Sequence, residues 1–170
     1  MPRPIVLFVK IVDTVNLWVG RIAMQLIFVL GAILLWSTIS RLAFNAPVNW
    51  ALEMSQFILS AYYLLGGAYT LQREGHVRMD LFYSRFSPRR RAAIDAFTLL
   101  FVLFYLGVLF YGGWSSTSYA LQYGQKNYSA WGPLLWPIKT IMTIAIFLML
   151  LQVLSSLCKN IGLALGRPIR

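Results

Sequence analysis

Residues 73–95, REGHVRMDLFYSRFSPRRRAAID, are the one strongly polar block of this 170-residue chain. The block carries nine of the twenty charged residues: six arginines (73, 78, 85, 89, 90, 91) and the acids Glu74, Asp80 and Asp95. It also holds the single histidine, His76. Long apolar stretches flank it on both sides. Because both signs of charge alternate within it, the block is suited to pairing its own charges and to holding two membrane helices at one water interface.

The rest of the chain agrees with a membrane setting. Hydrophobic residues make up 59% and charged residues 12%, against about 25% charged in soluble domains. The composition implies an all-α membrane protein. A formal charge of +10 would suggest nucleic acid on a soluble face, but there is no soluble domain to present one. The single cysteine, Cys158, excludes an internal disulfide.

Working upstream, residues 50–72 read as one span, with Asn49 as the expected N-cap. Its polar or small residues Glu53, Gln56, Ser60, Tyr63, Gly67 and Thr70 recur every three or four positions, which places them on one face. Such a stripe is expected to pack inside a bundle. Residues 22–40 are uncharged between Arg21 and Arg41, long enough at 1.5 Å per residue to cross a bilayer core. Before them, Ile5, Phe8, Val9, Val12, Val15 and Val19 oppose Lys10, Asp13, Thr14 and Arg21. That pattern fits an N-terminal amphipathic helix at the interface, or equally an extension of the first span.

Downstream, Met79, Phe82, Tyr83 and Phe86 oppose Arg78 and Arg85, which predicts a short interfacial helix between the second and third spans. Ser87-Pro88 reads as N-cap and first turn of the next helix. The third span covers about 91–119, and its stripe of Gly107, Tyr111, Ser115 and Ser118 is the expected partner of the stripe on the second. The fourth covers about 136–158. We expect one four-span domain over 1–170.

Orientation follows from Lys and Arg near the span ends. The amino-terminal segment, the central block and the carboxyl-terminal segment carry twelve of the fifteen, so both termini are expected in the cytoplasm. Trp36, Trp50, Trp114, Trp131 and Trp136 then fall at the external interface, as an aromatic belt does.

No ionisable residue falls in the middle of these spans, where one would point to a relay. Glu53 sits at the external start of the second span, and Asp95 lies one turn past Arg91. The inventory supplies no haem ligands within spans, no zinc set and no histidine-based triad. We therefore expect no catalytic, cofactor-binding or metal-binding residues, and a function exercised through partners.

Four pieces of sequence sharpen this. They are Glu53-(x)3-Phe57, Leu64-Leu65-Gly66-Gly67-Ala68, Arg73-x-Gly75-His76-Val77-x-x-Asp80 and Pro88-x-x-Arg91-x-x-x-Asp95, followed by a late Leu151-Gln152 pair. Together they resemble the small, Q-type membrane subunit of tripartite ATP-independent periplasmic (TRAP) transporters. The resemblance implies a bacterial inner-membrane complex. In it a periplasmic solute-binding protein delivers an organic acid or similar solute to a large elevator-type subunit driven by a sodium gradient, and the small subunit serves as scaffold.

On that footing Arg73, Gly75, His76, Asp80, Arg91 and Asp95 are expected to form a cytoplasmic charge cluster used in structure or assembly. His76 is either a pH sensor or a histidine satisfied by a carboxylate. Spare arginines face membrane lipid. Glu53, Gln56 and Ser60 are candidate contacts to the large subunit, although Glu53 serves equally as a helix-end charge. Tyr119, Tyr123, Tyr128, Trp131 and Trp136 are candidates for docking the binding protein, or for interfacial anchoring. The main alternative is a self-contained, homo-oligomeric four-span transporter or channel.

Overall fold

A computed structural model describes residues 3–73 and 88–164. Within them the chain forms four helices, α1 (Arg3–Phe44), α2 (Ala51–Gln72), α3 (Pro88–Tyr123) and α4 (Trp136–Ala164). Three of them, α1, α3 and α4, are long and apolar enough to cross a membrane. The second is 22 residues long, but Glu53, Ser55, Gln56, Ser60, Thr70 and Gln72 lower its hydropathy. The short interfacial helix expected near 78–86 lies outside the described residues.

The N-terminal segment is not a separate interfacial helix. α1 runs unbroken for 42 residues, about 63 Å at 1.5 Å per residue and roughly twice a bilayer core. No proline interrupts it between Pro4 and Pro47. Its exposed Arg21 and Arg41 are twenty residues apart, close to the 30 Å of a hydrocarbon core. The helix ends at Phe44, where Asn45 turns to positive φ (48°). Asn tolerates that left-handed region better than most residues. The Ser40 hydroxyl donates to the Ala46 carbonyl at 2.9 Å and closes the turn.

Asn49 does not cap α2. Trp50 occupies the N-cap with helical angles and makes no side-chain cap bond, so the following turn starts without a polar side chain satisfying its first N–H groups.

Packing joins α1 to α2 and to α4, α2 to α4, and α3 to α4. Small residues set the close crossings. A Cβ on Gly20 would lie 2.5 Å from the Tyr69 Cβ, and one on Gly67 would lie 3.0 Å from the Met149 sulfur. In lipid, where apolar tails compete equally for side chains, such close approach supplies the dispersion contact that holds helices together. The α3–α4 seam is built on Leu106, Ile146 and Val153, with Phe110, Met149 and Leu150 against them.

The two small-residue stripes are not each other's partners. Tyr63 is 68% and Tyr111 78% exposed, and Gln56, Ser115 and Ser118 also face outward. Instead α3 turns Leu106, Gly113, Thr117 and Ala120 to α4. Periodicity found real helical faces here, but the face of α3 that packs on α4 is a neighbouring one, on which Gly113 and Ala120 allow close approach.

Candidate functional site

The most concentrated buried chemistry lies where the first third of α1, the end of α2 and the second half of α4 meet. On α1, Asp13 and Asn16 are one turn apart; on α4, Gln152, Ser155 and Lys159 follow at helical spacing. These positions therefore face one another as two short polar rows. Asn16 Nδ2 donates to Gln152 Oε1 at 2.6 Å. Gln152 Nε2 and Ser155 Oγ both donate to Asp13 Oδ1 at 3.1 Å. Lys159 Nζ donates to Asp13 Oδ2 at 2.5 Å. From α2, Gln72 Nε2 reaches the backbone carbonyl of Asp13 at 3.1 Å.

Asp13 thus has both carboxylate oxygens and its carbonyl occupied, and ties three helices to one point. Asn16, Gln152 and Ser155 are essentially inaccessible, at 1%, 0% and 0% exposure. The charged pair keeps some water, with Lys159 33% and Asp13 22% exposed. That gradient suits an ion pair at the edge of a low-dielectric region: the uncharged amides lie inside, and the ammonium extends toward solvent. Among the described residues, Asn16 Oδ1 and Gln72 Oε1 are buried without a partner.

As part of an interfacial helix, one of the two readings of the N-terminal segment, Asp13 would lie on the water-facing side. It faces α4 instead, because the helix is continuous and Val9, Val12, Asn16, Gly20 and Ala23 form its buried side. Its signal was the complementary pair Asp13-x-x-Asn16 and Gln152-x-x-Ser155-x-x-x-Lys159 on two apolar helices.

A second polar set lies toward the other end of the α3–α4 seam. The Thr117 and Thr143 hydroxyls are 2.8 Å apart, and Thr117 Oγ1 also lies 3.1 Å from the Lys139 carbonyl. Lys139 Nζ donates to Gln125 Oε1 at 2.7 Å. The connection beyond is ordered by backbone bonds from Asn127 N to Pro133 O and from Leu135 N to Gln125 O, both at 2.9 Å. Gly124 and Gly132 take positive φ (57° and 58°), which makes the turns possible without Cβ strain. Around this end Tyr119, Tyr123, Tyr128, Trp131 and Trp136 are all exposed, and the rings of Tyr119 and Tyr123 are 4.5 Å apart.

The model for tripartite ATP-independent periplasmic transporters, DctQ component, matches residues 30–162. The chain belongs to this family. It is accordingly a membrane subunit of a multi-component transporter family, and that family is not one of enzymes. No curated protein matches the chain. The match includes Gln152, Ser155 and Lys159, whereas Asp13 and Asn16 precede it. In this DctQ component the buried network therefore joins the matched region to the N-terminal third of α1.

The other expected site residues are only partly brought together. Gly75, His76 and Asp80 lie outside the described residues. Arg73 ends α2, with its guanidinium 5.6 Å from the Tyr69 ring centroid. Arg91 and Asp95 are half-buried in the first turns of α3. Glu53 is buried at 8% exposure in the first turn of α2, while Gln56 is exposed and Ser60 half-buried.

Proposed function

We propose that this DctQ component is the fixed membrane scaffold of its transporter, holding a large elevator-type subunit in place for sodium-coupled uptake of an organic acid or similar solute delivered by a periplasmic binding protein. The observation that carries the reading is the Asp13 network. A half-buried carboxylate satisfied by an amide, a hydroxyl and an ammonium from one neighbouring helix, with its carbonyl bound by another, opposes relative movement of three helices. A transport domain that moves needs a part that does not.

In this reading α2 is the fourth span. At 22 residues it reaches about 33 Å, and it packs against both α1 and α4. Both termini and the arginine-rich block face the cytoplasm, following the excess of Lys and Arg at that side. The membrane is the bacterial inner membrane. Gly75, His76 and Asp80 complete a charge cluster with Arg73, Arg91 and Asp95 that contributes to assembly.

The test is co-purification of the tagged full chain, expressed with its neighbouring genes, in mild detergent. A much larger multi-span polypeptide should be recovered in fixed ratio, and recovery should fall in His76→Ala/Asp80→Ala. A homo-oligomer that by itself carries solute across liposomes would replace this reading with the self-contained transporter.

A further inference from the structure

The Asp13 network has a direction, and the direction fixes what its open ends can meet. Beside the Lys159 ammonium the Asp13 carboxylate only accepts, so Gln152 turns Nε2 toward it, at 3.1 Å. Gln152 Oε1 is then the acceptor for Asn16 Nδ2, at 2.6 Å. Asn16 is left with Oδ1, enclosed in a residue only 1% exposed and, among the described residues, without a donor. On α2, Gln72 uses Nε2 on the Asp13 carbonyl at 3.1 Å, and its buried Oε1 is open in the same way. Exchanging oxygen and nitrogen in either amide brings no relief, because it would set one acceptor against another.

Both oxygens belong to one turn of α1. An α-helical carbonyl points along the axis toward the residue four positions on, so the Asp13 carbonyl that holds Gln72 is aimed at the turn carrying Asn16. The Asn16 side chain leans back toward the helix N-terminus, over that same turn. What fits there is a species with two donors and no charge. Asp13 and Lys159 already balance each other, and an added cation would stand uncompensated beside inaccessible amides. Hard cations such as calcium and magnesium also gather about six oxygens. Water brings two O–H donors and is held in protein interiors by as few as two polar partners.

We propose that one buried water molecule donates to both Asn16 Oδ1 and Gln72 Oε1. It closes a circuit that leaves Asp13 by its carbonyl, passes through Gln72, the water, Asn16 and Gln152, and returns to the Asp13 carboxylate. Every amide in the circuit then uses both its oxygen and its nitrogen. The end of α2 gains a second tie, through Asn16, to the contact between α1 and α4. All the groups that hold the water come from this chain, so the site forms with or without other transporter subunits.

The test is a density map of the full chain, with whatever subunits co-purify, at a resolution that shows ordered water around the exposed part of Lys159. A single peak should lie about 2.5–3.0 Å from both oxygens. It should be the same in sodium and in rubidium buffer. It should vanish in Gln72→Leu, which keeps a side chain of similar bulk without either amide atom, while the contact of Asp13 with Lys159 persists. Water-edited solid-state NMR of amide-labelled protein in vesicles reads the same water independently: the Asn16 side-chain amide should take up magnetisation from water severalfold faster in the parent than in Gln72→Leu. An unfilled position in a map that resolves water elsewhere would overturn the proposal, as would an uptake unchanged in Gln72→Leu. So would a peak that strengthens in rubidium and gathers about six oxygens, or a donor side chain from residues 74–87 in the water's place.

Discussion

Asp13 and Lys159, 146 positions apart in the sequence, meet at 2.5 Å and tie the N-terminal third of α1 to the end of α4. The two partners are not equivalent. Asp13 serves three donors through its carboxylate, whereas Lys159 is one-third exposed and can reach water. Removing the acceptor strands buried amide and hydroxyl donors, so Asp13→Ala should cost about 2–3 kcal/mol. Lys159→Ala leaves Asp13 with two hydrogen bonds and should cost about 1 kcal/mol. Thermal unfolding of the purified chain in detergent reads the order. Midpoints unchanged from the parent chain in both variants would show that the network does not hold the helices.

The α1–α2 crossing makes a sharper demand. A Cβ on Gly20 would meet both the Cβ and the Cγ of Tyr69 at 2.5 Å. Gly20→Ala should therefore destabilise by about 1–3 kcal/mol through overpacking. Adding Tyr69→Ala should relieve only part of it, because Cγ and Cδ2 go but the Cβ at 2.5 Å stays, whereas Tyr69→Gly should restore more of the loss. Gly31→Ala, with nothing within 4 Å of the new methyl, is the matched control and should leave the midpoint unchanged or slightly raised. Full rescue of Gly20→Ala by Tyr69→Ala would contradict the geometry, since the Cβ contact remains.

These two relationships also separate what was legible in the sequence from what was not. The spans could be read because uncharged runs end at residues such as Arg21 and Arg41, where a side chain must find water. The unbroken course of α1 was one of two readings the sequence left level, because the charges at Lys10 and Asp13 fit an interfacial helix as well as an extension of the first span; the absence of proline after Pro4 until Pro47 is what lets the helix continue. What periodicity cannot supply is the neighbour. It groups Gly107, Tyr111 and Ser115 on one face of α3, but whether that face meets α2, α4 or lipid depends on how the volumes fit. Leu106, Gly113 and Thr117 fit α4 better. The Asp13 network was hidden for the same reason, because each half is two or three ordinary polar residues until the other half is opposite.

At the α3–α4 seam, Thr117 and Thr143 share a hydrogen bond at 2.8 Å, and each hydroxyl also contacts the Lys139 carbonyl. Thr117→Val and Thr143→Val should each cost about 0.5–1.5 kcal/mol. The double variant should cost less than the sum, since the second substitution removes a partner already lost. A double-mutant cycle on detergent unfolding midpoints checks this. Strict additivity would mean that each hydroxyl acts only on the Lys139 carbonyl and not on the other.

The five exposed aromatic residues at the same end allow the docking role to be separated from membrane anchoring. Tyr128 projects fully into solvent, and Trp131 and Trp136 are about 40% exposed. An aromatic that docks a soluble partner contributes by desolvation at a contact, and its loss weakens that contact without disturbing the bundle. An aromatic that anchors the interface shifts the seating of the helix instead. Tyr128→Ala combined with Trp131→Ala should therefore raise the concentration of loaded binding protein needed for half-maximal uptake severalfold, with recovery of the membrane complex unchanged. The contrast is Trp136→Ala at the first residue of α4, which should lower complex recovery while leaving that concentration in place. Uptake into proteoliposomes over a titration of binding protein measures both quantities. If the double variant lowers recovery and not apparent affinity, the aromatic cluster is an anchor and the docking surface lies elsewhere.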